Sequence, residues 1–238
     1  MARYEILNPA QHGQLRFSTP KDYGFAAHLE WIEVLHSEWN QVALQHPIVF
    51  AKSSGGDFRS MAVLATGPIL ADSLTVNSWV DAQGRWKGQV VPGVLKLHPF
   101  AITSAEGETA VCVDTFSAAL STRKGAALFS QEGVPSGALR DVMEVLQLWQ
   151  RQSTATQILL RSLDRLGLLV PLQVEQSTSQ WGHAWQVDPQ LFEALSSASL
   201  LVLRREGWLK PIYAHLLSLA KFQRVSTSSM DAVTGPNL

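Results

Sequence analysis

Four side chains in one predicted turn are suited to binding a ligand. They are Trp79, Asp81, Arg85 and Trp86, and Gly84 marks the turn between the two tryptophans. Such a turn could present Arg85 to a carboxylate, while the two indole rings form an apolar wall that suits a peptide or an aromatic side chain. A structural role is the alternative, because Asp81 could cap backbone N–H groups of the turn while both tryptophans pack inward.

Four further residues are candidate ligand contacts outside that turn. Trp181 lies in a polar loop and is the candidate for an exposed aromatic contact. Tyr213 and His215 lie near the start of the last predicted helix, where a satisfied core pair is the default and a ligand contact is the alternative. His98 completes the set of residues that we expect to face a ligand.

No residue cluster in the sequence identifies a reaction. The seven histidines form no pair with metal-binding spacing inside one predicted element. Cys112 is the only cysteine and lies between two valines, which favours a buried structural thiol over a nucleophile. The chain also has no dinucleotide-binding glycine loop and no Walker loop. The sequence therefore assigns no catalytic residue, no metal site and no cofactor.

The first half of the chain is predicted to be rich in strands. Apolar runs at residues 48–50 and 61–65 flank a Ser-Gly turn, which predicts a hairpin. A further short strand is predicted at residues 109–114. Between residues 25 and 44, apolar residues recur at spacings of three and four, which predicts a helix that ends before Pro47.

The second half is predicted to be mainly helical. Apolar stripes indicate two successive helices, over residues 136–149 and 154–166. Asp188 followed by Pro189 is typical of a helix start. The last helix, from Lys210, is apolar on most sides, which places it in the core or against a partner.

These elements predict an α+β protein in which a strand-rich N-terminal half packs with a helical C-terminal half as one compact unit. Residues 1–22 are predicted to form an N-terminal arm, residues 23–225 the folded domain, and residues 226–238 a disordered tail. The stretch 125–137 is rich in Gly, Ser and Pro, so it is the candidate boundary if the domain has two lobes.

The composition argues against several classes of function. The net charge of −1 gives no overall field that would attract nucleic acid. No apolar run approaches the roughly 18 residues of a membrane span. The N-terminus shows no secretory signal, and the single cysteine suits a reducing compartment. We therefore expect a cytoplasmic protein, with the cell surface, reached without a cleavable N-terminal signal, as the alternative.

Short blocks in a fixed order resemble the SapC-like family of bacterial proteins. The blocks are Pro47–Ala51, Trp79–Trp86, Val91-Pro92, His98–Phe100, Gly125–Gly133, Val187-Asp188 and Gly207–Leu219. None of these blocks is specific by itself, so the resemblance rests on their order and spacing over roughly residues 7–222.

The resemblance implies a binding or accessory role. The family takes its name from a surface-layer (S-layer) gene cluster, which implies a link to bacterial surface layers. Relatives are commonly encoded beside peptide- or tryptophan-modifying oxygenases and halogenases, which implies an accessory protein that binds a partner enzyme or its peptide. The resemblance implies no catalytic residue.

The sequence as a whole favours a non-enzymatic protein that recognises a peptide or a partner protein. Eight tryptophans against three tyrosines support this, because indole rings are frequent in binding contacts. Two alternatives stay open. One is a structural surface-layer subunit, and the other is a small-molecule or peptide-modifying enzyme with an assembled site. The residues of that assembled site would be Asp81, Arg85, His98, Asp114 and His215. Whether the chain forms a homo-oligomer is also open.

Overall fold

The computed structural model describes residues 3–65, 77–105, 108–172 and 184–231, with backbone alone at residues 104, 105, 108 and 222–231. The strands are β1 (Tyr4–Ile6), β2 (Arg16–Phe17), β3 (Trp31–Glu33), β4 (Ile48–Lys52), β5 (Phe58–Val63), β6 (Phe100–Ala105), β7 (Glu108–Asp114), β8 (Leu120–Ser121), β9 (Ala126–Ala127), β10 (Leu169–Pro171) and β11 (Ala184–Val187). The helices are α1 (Pro9–His12), α2 (Trp39–Val42), α3 (Gly137–Arg165), α4 (Pro189–Glu193), α5 (Ser197–Arg205) and α6 (Leu209–Asp231). The predicted α+β class is confirmed, with strands mainly in the first half and helices mainly in the second.

The chain divides into two compact units. The first comprises the described parts of residues 1–23 and 94–152, and it contains the stretch 125–137. Its two antiparallel sheets have the strand orders β1-β7-β6 and β8-β2-β9. The centre of its core consists of Phe100, Val113, Leu128, Phe129, Leu139 and Leu146. Cys112 is buried on β7, as its apolar neighbours predicted.

The second unit comprises the described parts of residues 24–93 and 153–238. One antiparallel sheet, in the order β10-β11-β4-β5-β3, runs through it. The predicted hairpin is confirmed as β4 and β5, and Gly56 provides the positive φ of 89° that its turn requires. Three successive residues of β4, Ile48, Val49 and Phe50, are fully buried, so both faces of the strand are covered.

The helix predicted between residues 25 and 44 is wrong. This segment contains most of a 3₁₀ turn (Gly24–Ala26), strand β3, which pairs with β5, and the one-turn helix α2. Aromatic and β-branched residues such as Trp31 and Ile32 favour a pleated strand. The spacings of three and four in the sequence arose because a strand and a helical turn follow each other closely.

Helix α3 is one helix of 29 residues where two were predicted. The second helix is predicted from a candidate capping box of Thr154 with Gln157. Residues 150–154 include neither glycine nor proline, so nothing there ends the first helix. The two ends of α3 contribute residues to different hydrophobic cores. Leu139 and Leu146 belong to the core of the first unit, and Leu159 and Leu163 to that of the second.

Helix α4 begins as predicted, because the Asp188 side chain accepts hydrogen bonds from Gln190 and Leu191 N–H while Pro189 occupies the first turn. Helix α6 continues to Asp231, beyond the start of the predicted tail at residue 226. Serine and threonine in that segment lower helix propensity without forbidding a helix. Residues 232–238 lie outside the described part of the chain.

A buried imidazole on α6 joins two strands of the sheet. The register that pairs Ala184 with Ala51 and Trp185 with Phe50 would continue by placing Val187 opposite Ile48. At that point His215 lies between the strands: its Nε2 accepts from Val187 N–H at 3.1 Å, and its Nδ1 lies 3.0 Å from the Ile48 carbonyl oxygen. A backbone N–H can only donate, so Nε2 is bare and the proton is on Nδ1.

A serine one turn further along α6 completes this connection. The Ser218 hydroxyl accepts the Ile48 N–H at 2.9 Å and donates to the His215 carbonyl at 2.7 Å. Helix α6 thus supplies partners for both backbone groups of Ile48, which strand β11 leaves unpaired at this position. Because His215 and Ser218 are fully buried, the opposite face of α6 is directed outward.

Replacing His215 with alanine is expected to lower the free energy of unfolding by about 3–5 kcal/mol, because it leaves two buried backbone groups unpaired and opens a cavity. Glutamine should cost less, since its amide carries a donor and an acceptor on one carbon, like the neutral imidazole. Urea unfolding at pH 7 measures both, with exposed His28→Ala as the matched control. Equal losses of unfolding free energy for His215→Ala and His28→Ala would contradict a role of His215 in joining the two strands.

The free energy of unfolding is expected to fall as the pH drops from 7 to 5. Burial lowers the pKa of His215 to about 3 and that of His46 to about 4, whereas an unfolded histidine titrates near 6.5. Below this pH the unfolded chain binds protons that the folded chain excludes, which removes up to about 1.4 kcal/mol per pH unit and histidine. The slope of the unfolding free energy against pH, measured by urea unfolding, should be shallower in His215→Gln. An unchanged slope would argue against a neutral His215 imidazole in the folded protein.

Candidate functional site

The turn at residues 81–85 is held together by its own side chains. Asp81 Oδ1 accepts from Gln83 N–H at 2.9 Å and from Arg85 N–H at 2.8 Å. Its Oδ2 accepts from Arg85 Nε at 2.8 Å, and these interactions with Arg85 and Gln83 lower the pKa of the carboxyl. Asp81 therefore caps the turn, as the structural alternative describes, and it already engages one edge of the guanidinium of Arg85.

Trp79 and Trp86 form a wall, and this wall packs on a buried histidine. The two indoles lie nearly parallel, with ring centroids 6.4 Å apart and an interplanar angle of 22°. The His46 ring lies 4.5 Å from Trp79 and 5.9 Å from Trp86, centroid to centroid. The Trp86 indole donates to the Val90 carbonyl at 2.9 Å, which fixes its orientation.

His46 is fully buried in this aromatic cluster and is neutral. Its Nδ1 lies 3.2 Å from the Val63 carbonyl oxygen, and burial lowers its pKa to about 4. Two buried nitrogens of the cluster, His46 Nε2 and Trp79 Nε1, have no hydrogen-bond partner among the described residues. The cluster combines one bare acceptor and one donor with apolar ring faces, and no charged group lies within it.

His98 lies in the first unit, where it contacts a serine that the sequence did not indicate. Its Nε2 is 2.8 Å from Ser117 Oγ, and burial lowers its pKa against the opposing effect of Asp114 and Asp22. Ser117 Oγ also accepts from Ala119 N–H at 3.2 Å, and Asp114 Oδ1 accepts from two backbone N–H groups. Both side chains thus cap the turn that follows β7, a role without a sequence signature.

The residues named for an assembled catalytic site are divided between the two units. His98 and Asp114 belong to the first, and Asp81, Arg85 and His215 to the second. Within the second unit, Arg85 is exposed while His215 is fully buried in the core. Trp181 lies outside the described residues. The structure therefore brings together Trp79 with Trp86, Asp81 with Arg85, and His98 with Asp114.

Tyr213 lies in an apolar groove between α2 and α6, which we call the α2/α6 groove. The groove encloses about 690 Å³. It is lined by Asn40, Ala43, Leu44, Lys210, Tyr213, Ala214, Leu217 and Lys221. Both charged residues in this lining are lysines.

Large apolar side chains are exposed along the groove. Leu217 is 73% exposed, Leu44 is 69% exposed and Tyr213 is 52% exposed. The Tyr213 ring packs edge-on against Phe192, with centroids 5.4 Å apart, so the ring is held in place although half of it is open to solvent. These side chains converge from two elements on one concave surface, which distinguishes them from singly exposed apolar residues.

The sequence indicated Tyr213 but not the rest of the groove. Lys210, Tyr213, Leu217 and Lys221 recur at helical spacings and therefore share one face of α6. This spacing can be read from the sequence, but the other faces of α6 also carry apolar residues, so the spacing alone does not show which face is exposed. Leu44 could not be placed opposite this face because its segment was predicted to be a longer helix.

The comparisons with known proteins identify a family. A family model described as SapC matches residues 7–225, which is nearly the whole chain. Among curated proteins and among solved structures, no match was found.

Among the described residues, no helix combines the length and the apolar character needed to cross a bilayer. Nor do the described residues gather three or more His, Cys, Asp or Glu side chains into a group that could hold a metal ion.

Alanine at Gly88 is expected to disrupt the aromatic cluster. A Cβ there would lie 2.8 Å from Trp86 Nε1, 3.0 Å from Gln45 Oε1 and 3.1 Å from Trp79 Cε3. Because the Trp86 ring is fixed by its hydrogen bond, we expect a loss of about 1–3 kcal/mol in the free energy of unfolding and a changed near-UV circular dichroism spectrum. Gly55→Ala is the control, since its Cβ would meet Ser53 Oγ only at 3.8 Å. Indistinguishable spectra and midpoints for the two variants would show that the cluster is loosely packed.

Proposed function

The chain belongs to the SapC family, and from this premise we propose that it is a non-enzymatic binding protein that holds an apolar segment of a peptide or partner protein in the α2/α6 groove. The observation that carries the proposal is the convergence of three exposed apolar side chains, Leu44, Tyr213 and Leu217, on one concave surface. Covering them is favourable, because full burial of a leucine side chain contributes about 1.5–3 kcal/mol.

The groove has a volume that is usual for ligand pockets, and one of its walls is hydrogen-bonded to the sheet. Its volume of about 690 Å³ lies within the range of about 300–1,000 Å³ that is usual for ligand pockets. Its α6 wall is fixed to the sheet by His215 and Ser218, on the opposite face of the helix. A wall that is already ordered loses little conformational entropy when a partner binds.

The small residues in the groove support recognition of a chain segment. Ala43 and Ala214 are the small residues of the lining, and small side chains let a partner approach the surface more closely than large ones do. Leu44, Tyr213 and Leu217 then surround the partner's apolar side chains. The family resemblance suggests two classes of partner that could supply such a segment: a surface-layer protein, or a peptide-modifying enzyme with its peptide.

Selection from a random 16-residue peptide display library tests the proposal. We expect the wild-type protein to enrich peptides whose affinity falls at least tenfold in Leu217→Ser. A tenfold loss corresponds to about 1.4 kcal/mol, which is less than the roughly 1.5–3 kcal/mol that full burial of a leucine side chain contributes. Leu201→Ser is the matched control, since Leu201 is an exposed leucine on α5 and is not in the groove lining.

Two results would contradict the proposal. One is that no peptide is enriched above background. The other is that the enriched peptides bind Leu217→Ser and Leu201→Ser equally well, which would place their site elsewhere on the protein.

A further inference from the structure

The partner of the α2/α6 groove can be specified from the side chains at its two ends. Resting on the function proposed above, we infer that the groove binds an amphipathic helix that carries an apolar stripe with carboxylates near both ends. Three features of the described residues support this inference: the spacing of the lysines, the helical composition of the walls, and the position of Lys210 in its helix.

The two lysines flank the apolar part of the groove. Lys210 and Lys221 are three helical turns apart on α6, which corresponds to about 16 Å along the axis. Tyr213 and Leu217 lie between them on the same face. Neither lysine forms a salt bridge with a described side chain. A bound segment therefore meets apolar side chains in its middle and a positive charge at each end.

The walls of the groove favour a helical partner over an extended one. All of the described lining residues belong to α6, to α2 or to the turn that directly follows α2. An extended peptide that binds by strand addition pairs its N–H and C=O groups with an exposed strand edge, and the described lining of this groove contains no strand residue. A helix satisfies its backbone internally, so it can bind through side chains alone.

The position of Lys210 is not explained by the stability of its own helix. It occupies the first turn of α6, where the positive end of the helix dipole disfavours a cation. A carboxylate of a partner would interact favourably with both the lysine and the helix end. Between the two lysines, on the α6 side of the groove, the same carboxylate would meet Tyr213, Ala214 and Leu217.

The length of the partner follows from these distances. Carboxylates that reach both lysines must also be about three helical turns apart, and the apolar residues between them must recur at intervals of three and four. The expected binding segment is thus an amphipathic helix of about 12–16 residues. A second copy of this chain and an extended peptide are the competing occupants.

The charge pattern of the bound peptide tests the inference. The display selection is repeated on the double variant Lys210→Glu/Lys221→Glu, with Arg204→Glu/Arg205→Glu on α5 as the matched control. Wild type and control should enrich peptides with acidic ends, and the groove variant should enrich peptides with basic ends. A synthetic acidic-ended peptide should bind the groove variant at least tenfold more weakly than the control, with a difference that shrinks at high salt.

The outcomes separate the inference from the function on which it rests. Enriched peptides that depend on Leu217 but show no excess of acidic residues would overturn the inference and leave the binding function intact. A bound peptide whose circular dichroism shows no gain of helix would also overturn it. A wild-type dimer that Leu217→Ser dissociates in sedimentation would identify a second copy as the occupant and contradict the inference. If no enriched peptide depends on Leu217, the binding function itself fails.

Discussion

A neutral imidazole between two strands is the interaction on which the second unit depends. His215 replaces a direct backbone hydrogen bond between Val187 and Ile48 with a donor and an acceptor on one ring. This works only when Nε2 is bare and Nδ1 carries the proton. Protonation would place a charge in an apolar core, and this burial lowers the pKa of His215 to about 3. Protonation would also place an N–H against the Val187 N–H.

The same interaction orients the surface that we propose to be functional. Because His215 and Ser218 face the sheet, Tyr213 and Leu217 face solvent on the same helix. Leu44 lies opposite them in the turn that follows α2, and the residue two positions later, His46, is buried against Trp79 and Trp86. Both segments that line the groove are thus anchored by neighbouring residues that are buried in the core. A rigid binding surface is usually built on such supported elements.

Sequence patterns predicted those features that depend on local chemistry. The β4–β5 hairpin followed from two apolar runs around a Ser-Gly turn, and the start of α4 followed from Asp188 and Pro189. The capping role of Asp81 was one of two alternatives, and Asp81 accepts hydrogen bonds from two backbone N–H groups of its turn. Predictions failed where two elements were adjacent in sequence but different in kind, as at Trp31 and Ile32, because their apolar residues together imitate a helical period.

The candidate site was harder to predict, because it depends on which face of α6 is buried in the core and which face is exposed. The sequence shows α6 to be apolar on most sides, so its exposed face could not be chosen without knowing that His215 accepts a hydrogen bond from a strand. Likewise, the contact of His98 with Ser117 joins residues that no spacing rule connects. Such contacts are set by tertiary packing, and a single sequence does not reveal them.

Measuring the protonation state of His215 tests most directly whether a neutral imidazole joins Val187 to Ile48. Long-range ¹H–¹⁵N correlation spectra of the imidazole nitrogens distinguish a protonated from a bare ring nitrogen. We expect His215 to show a protonated Nδ1 and a bare Nε2, unchanged from pH 7 down to pH 5. A proton on Nε2 at pH 7, or titration of the ring near pH 6.5, would contradict the bridge and remove the reason for the orientation of α6.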